Sequence, residues 1–293
     1  MSEEVMYRPD HGHNNWWIKA YIITMMNNAD SVVSTRKLLH SIKTSGAMIQ
    51  PFIMPATIPE TMEDDLDRAF DRSYSDILTT KDNKIRYTWP IHTSQDGLDL
   101  ATGLYKRAYA AKDWRKVLSC SISHMRLWQH CIDINEPIVI LEHDAYFTSE
   151  IQFSYKSIAL AGHVTAKVKS GEAALNENSM QWTGGICGLN DPAGATRKAR
   201  VFDSKVKEYL KNEPGLAPVP YLDDPSDYPL PCGLAGNSAY IIKPWAAKKL
   251  LDKTAEIGIW PNDALMCRQF FPWLQVSYPY FTTIQNTKST TTT

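Results

Sequence analysis

The chain has 293 residues, 43% hydrophobic and 22% charged, an ordinary globular composition with length enough for a sizeable core. Its 31 basic and 32 acidic side chains nearly cancel, so charge favours neither nucleic acid nor an anionic membrane as a partner. No apolar run approaches the roughly 20 residues of a membrane span, and the polar, acidic start lacks the pattern of a secretory signal. The five cysteines, odd in number and without a CxxC pair, read as reduced thiols. Together these features predict a cytoplasmic setting.

In chain order, residues 1–14, with His11 and His13, read as a flexible leader. Residues 15–284 read as a single elaborated domain and 285–293 as a disordered, threonine-rich tail. WWIKAYIITM, residues 16–25, is apolar enough for a buried strand. NNAD follows, where Asp30 or Ser31 is placed to cap a helix through SVVSTRKLLHSIKTSG that Gly46 stops. IQPFIMPA makes a second strand. Strand, helix and strand with short connections indicate an α/β fold with a parallel sheet. ETMEDDLDRAFDR predicts a surface helix, whereas residues 73–102 have a poor hydrophobic pattern and read as a long loop on the active-site side.

VLSCSISHMRLWQHCIDIN repeats apolar residues at three and four positions (Leu118, Ile122, Met125, Ile132), an amphipathic helix that ends at Asn135. IVIL then opens a strand. In QWTGGICGL a short strand is expected, with Gly184 and Gly185 serving either a turn or close approach of a ligand. Residues 191–215 hold one helix. SAYII (238–242) is a strand leading into a helix with Pro244 early and Gly258 near its end. WPNDALMCRQFF predicts a short helix and WLQVSYPYF a late strand.

The chemistry gathers at the carboxyl end of the IVIL strand, in Glu142-His143-Asp144. Ligands of open α/β sheets bind at that edge. Side chains alternate across a strand, so Glu142 and Asp144 would share one side and His143 would turn away. Two carboxylates so placed suit a hard cation, Mg²⁺ or Mn²⁺, and its diphosphate; a solvated polar turn is the alternative. A second acid, Asp263 beside Asn262, is either a helix-capping residue or a general base whose pKa burial sets. Arg36 and Arg115 could face phosphates. Tyr240 is equally consistent with core or ligand wall.

Several segments, SCSISHMRLWQH, VILEHDAYF, GNSAYIIKPWAAKKLL and WPNDALM, resemble in this order the glycosyltransferase family 25 enzymes of the lipooligosaccharide galactosyltransferase type. The opening YIITMMNNADSVVSTRKLLHSIKTSG, with Arg36, is similar to that family's first strand and helix. The resemblance implies a GT-A-like (Rossmann-like) nucleotide-sugar-binding domain with a mostly parallel central sheet and large loop insertions. It implies inverting transfer from a nucleotide sugar, a UDP-sugar first among the donors, to a hydroxyl of a glycan or lipid-linked glycan, helped by Mn²⁺ or Mg²⁺. By position, Glu142, Asp144, Arg36 and His124 would hold the donor; Glu142, His143 and Asp144 the metal; Asp263 would be the base; and Asn237, Ser238 and Asn262 would meet the acceptor. His143 stands where the family has the second acid of Glu-Asp-Asp, which leaves metal dependence open. The alternatives are a modified DNA base or a protein hydroxyl as acceptor, or a binding module without catalysis.

Overall fold

The computed structural model describes residues 18–47, 49–82, 84–150, 182, 184–192, 196–222, 228–234 and 237–285. The leader with His11 and His13, and the tail beyond Gln285, lie outside them. The chain opens with strand β1 (Ile18–Thr24), helix α1 (Ala29–Ser45) and strand β2 (Ile49–Pro55). Asn28, rather than Asp30 or Ser31, caps α1: its side-chain oxygen accepts from the Ser31 amide while its own backbone stays extended. Gly46 ends the helix at φ 74°, in the left-handed region that favours glycine.

Residues 62–106 hold more regular structure than their pattern predicts. They form α2 (Met62–Ala69), α3 (Arg72–Ile77), a 3-10 turn at Thr93–Gln95 and the hairpin β3 (Gly97–Asp99) and β4 (Leu104–Lys106). These pieces are too short to show a period. Helix α4 (Trp114–Ile134) then runs 21 residues from the Asp113 cap to Asn135, and strands β5 (Ile138–Glu142) and β6 (Ala145–Phe147) follow. After β7 (Ile186–Gly188) come α5 (Arg197–Tyr209), β8 (Gly215–Pro218), β9 (Ala239–Ile242), α6 (Pro244–Ile257), α7 (Asn262–Leu265), β10 (Leu274–Tyr278) and β11 (Thr282–Ile284).

Seven strands form the central sheet in the order β2-β1-β5-β9-β7-β10-β8. Strands β2, β1 and β5 are parallel, as are β7 and β10; β9 runs against both its neighbours and β8 against β10. The sheet is therefore α/β and mostly parallel in direction, as the GT-A-like expectation requires, with one reversed strand at its centre. On one face α4 and α6 cover Ile138, Ile140, Tyr240 and Ile242; on the other, α1 covers Val139, Leu141, Ala239 and Ile241. Strand β5 is covered on both faces, which is why it reads as an unbroken apolar run. Helix α4 buries Leu118, Ile122, Met125 and Trp128, each worth about 1.5–3 kcal/mol of hydrophobic stabilisation.

Candidate active site

The carboxyl ends of β1, β2 and β5 frame a cavity of about 330 Å³. Its walls include Asn27 and Asn28 before α1, the loop 56–60 after β2, Lys116 and Cys120 on α4, and Glu142 and His143. The amino end of a 17-residue helix thus borders the cavity, with the positive end of its dipole. The Thr57 amide donates to Ser123 Oγ at 2.9 Å, so α4 fastens the loop wall by a side chain of its SCSISH motif.

The neighbouring residue of that motif holds the acid. His124 is fully buried; its Nε2 lies 3.2 Å from Glu142 Oε1 and its Nδ1 2.8 Å from Tyr240 Oη, which also receives the Trp128 indole N–H at 2.8 Å. The tautomer that satisfies every partner has Tyr240 donating to Nδ1 and Nε2–H donating to Glu142. Tyr240 is core and relay at once: its ring packs against α4 while its hydroxyl sets the imidazole.

Strand β5 ends at Glu142, and His143-Asp144 form the turn into β6. The alternation argument therefore stops at Glu142. His143, expected to turn away, lines the same cavity as Glu142. Burial pushes the His143 imidazole below its ordinary pKa, against a smaller opposing pull from Glu142, so it is neutral at pH 7. Burial, and then the Glu142 charge, push the Asp144 carboxyl up to about 7. Its Oδ1 is buried without a hydrogen-bond partner. Two carboxylates that resist joint ionisation, one with an orphaned oxygen, fit a hard cation, with neutral His143 beside them.

Across the sheet, Leu141 pairs with Ala239 and the Glu142 amide donates to Ser238 O at 2.7 Å. Asn237 and Ser238 thus sit at the ligand edge of reversed β9. Both are buried, and both Asn237 amide atoms and Ser238 Oγ have no partner. Such atoms cost about 1–3 kcal/mol each unless something satisfies them.

The other acid lies 119 residues beyond Asp144. Asp263, in the first turn of α7, lines a second cavity of about 600 Å³ together with Trp89, Tyr105, Arg107, Tyr109 and Lys198. Tyr109 Oη donates to Asp263 Oδ1 at 2.6 Å. Burial raises the Asp263 pKa, the Tyr109 hydrogen bond works against that, and the Glu142 charge adds to it. Gly233 lets the 231–234 segment lie against α7, since a Cβ there would collide with the Asp263 carbonyl and stand 2.9 Å from that of Met266. Cys120 on the first cavity lies 3.9 Å from Asn262, the neighbour of Asp263. Burial, then the charges of Glu142, Asp263 and Asp144, drive the Cys120 thiol well above its ordinary pKa, so all three acids act on one sulfur.

Of the sequence-predicted residues, Glu142 and His143 line the smaller cavity with His124 on Glu142, Asp263 lines the larger, and Asn262 touches Cys120 between them; Asp144, in the turn after Glu142, lines neither, and Asn237 and Ser238 are one strand away. Arg36 is exposed on α1 and lines neither cavity. Arg115 is held by Asp113 through two bonds of 3.0 and 2.9 Å; Lys116 is the cation that faces the cavity. Gly184 and Gly185 are packing positions, where a Cβ would strike Gln275 Oε1 at 2.6 Å and the Trp245 ring at 2.5 Å respectively. The sequence reading overlooked Tyr109, Lys116 and Ser123; only Ser123 had a signal, within the SCSISHMRLWQH segment.

Residues 101–266, more than half of the chain, match the family model described as glycosyltransferase family 25 (LPS biosynthesis protein). No curated protein matches the chain. Among solved structures, mouse xyloside xylosyltransferase 1 in its apo form is similar at 8% identity, over 88% of this chain and 80% of that one. Its TM-score of 0.33 is too low to argue from.

Proposed function

From the premise that this chain belongs to glycosyltransferase family 25 and is a glycosyl-transferring enzyme, we propose that it moves a sugar from a nucleotide-sugar donor to an acceptor hydroxyl with inversion. The observation that carries this reading is the split of the acids: Glu142 on the wall of the smaller cavity and Asp263 on the wall of the larger. An inverting displacement needs its base on the face of the sugar opposite the leaving diphosphate, and an acid on the wall of each cavity supports that reading.

In this reading the donor occupies the smaller cavity, its diphosphate between the amino end of α1 and Lys116. Glu142 and Asp144, with His143 beside them, would hold Mg²⁺ or Mn²⁺, which when bound neutralises charge on the leaving diphosphate. His124 fixes the Glu142 carboxylate. Asn237 and Ser238 offer their unpartnered polar atoms to sugar hydroxyls. The acceptor enters the larger cavity, whose Trp89, Tyr105 and Tyr109 rings suit a glycan or lipid-linked glycan. Tyr109 holds Oδ1 of Asp263, and the other oxygen takes the acceptor proton as the new bond forms. Burial raises the pKa of this base toward the operating range. A UDP-sugar is the first donor to try, and a cytoplasmic setting agrees with five cysteines of which none is in a disulfide.

The test is a thermal-shift screen of UDP-, GDP-, CMP- and ADP-sugars with and without Mn²⁺, followed by transfer to a glycan acceptor panel. A metal-dependent rise in Tm with one nucleotide, and transfer of its sugar with inverted anomeric configuration, is expected. A full panel without binding or transfer, or a retained configuration, would overturn the proposal.

A further inference from the structure

We propose that Cys120, His124 and Glu142 form a second metal site, specific for a thiophilic divalent ion of the zinc class and distinct from the Glu142–Asp144 pair. Cys120 and His124 are one helical turn apart on α4 and face the end of β5, where Glu142 leaves the sheet. Their Sγ, imidazole nitrogen and carboxylate oxygen all lie within 4.8 Å of one another. Ligand atoms around tetrahedral zinc stand about 3.3–3.6 Å apart, given bonds of ~2.0–2.3 Å. The His124–Glu142 separation of 3.2 Å is within about 0.1 Å of that spacing. Cys120, within 4.8 Å of both, need close in by no more than about 1.5 Å, giving up a weak 3.9 Å contact with Asn262.

The surroundings suit the ion. Cys120 and Glu142 line the smaller cavity, which is the entry path and leaves a fourth position for water. His124 has the outer partner that metal-bound histidines use: with Nε2 on the ion, its remaining proton sits on Nδ1 and is donated to Tyr240 Oη. The ion takes the place of the proton between His124 and Glu142; that proton moves to Nδ1, Tyr240 turns its own hydroxyl hydrogen away to accept it, and the Cys120 thiol proton leaves to solvent. A thiolate and an imidazole select zinc-like ions over Mg²⁺ or Mn²⁺, which prefer oxygen. Binding here engages Glu142, so zinc would block transfer at the donor cavity. That consequence rests on the functional reading above; the binding itself does not.

Cobalt(II) titration of the metal-free protein tests the site without any activity. One equivalent should produce a thiolate-to-cobalt absorption band in the near ultraviolet, displaced by zinc. Cys120→Ser should abolish the band, Cys232→Ser should keep it, and His124→Gln should weaken binding about tenfold or more. X-ray absorption of the zinc-loaded wild-type protein gives a measurement independent of how the variants fold, and one sulfur with nitrogen or oxygen neighbours is expected. No band in the wild type, a band that survives Cys120→Ser, or a shell of oxygen alone would overturn the site. Zinc binding without a nucleotide donor ever being found would sink the transferase reading and leave this one standing.

Discussion

The two cavities are built by opposite means. The smaller lies at the carboxyl edge of three parallel strands, and its walls come from short connections and one face of α4. The larger is walled by the β3–β4 hairpin and its exit, by α5, and by residues 230–234, far apart in the chain. A cavity of the first kind is a by-product of sheet topology, and any βαβ opening provides it. The second had to be assembled. Tyr109 and Gly233, from two of its walls, meet Asp263 at its carboxylate and at its backbone carbonyl respectively. The comparison teaches that Glu142 is placed by secondary structure, whereas Asp263 is placed by tertiary contacts.

The largest effect should come from Asp263→Asn. If Asp263 is the base of the larger cavity, kcat falls about 10²–10⁴-fold while the donor-induced rise in Tm is kept. Equal loss of donor binding would break the division between the cavities. Glu142→Gln should do the reverse. The amide oxygen still accepts from His124, so the fold persists, but donor and cation affinity drop roughly tenfold to a hundredfold, as for a lost charged hydrogen bond. Calorimetric titration of nucleotide with Mn²⁺ measures this directly.

Tyr109→Phe sharpens the contrast more gently. The Tyr109 hydrogen bond holds the Asp263 pKa down, so its loss raises that pKa. The base works ionised; the acidic limb of the kcat profile therefore moves to higher pH, with a modest loss at neutral pH. An unmoved limb would remove Tyr109 from the machinery. The smallest effect concerns Asp144. Its folded carboxyl titrates at about 7, against about 3.9 when unfolded, so the native state holds the extra proton between those values. Its contribution to stability is full at acid pH and is lost as pH rises from about 4 to 7. Asp144→Asn should flatten that slope of Tm against pH. Added Mn²⁺ should also flatten it in the wild type if the carboxylate holds the ion.

How much of this was legible follows from the same division. The periods of α4 and β5 and the acids after β5 could be read directly, because one element buries one face and its sequence repeats accordingly. The α1 cap lies two or three residues before the expected one, since Asn28, Asp30 and Ser31 can all cap and only the backbone decides. Residues 73–102 were read as loop because six-residue helices and three-residue strands leave no period to detect. Tyr109 carries no local mark; its role exists only where α7 meets the exit of β4. The direction of β9 was hidden as well, for an apolar run reads the same along either sense.

That reversed strand also disciplines how the sheet is assembled. Along β9, Ser238 and Tyr240 share a face, and Tyr240 must meet Trp128 and His124 on α4 for Glu142 to be held. A slip of β9 by one residue would turn Tyr240 to the α1 side and bury its hydroxyl among Val139, Leu141 and Cys187 of the neighbouring strands, with the α4 donors orphaned. The buried relay therefore penalises every misregistered β5–β9 pairing, so an incorrectly threaded sheet forfeits both its lowest-energy core and its acid in the same step.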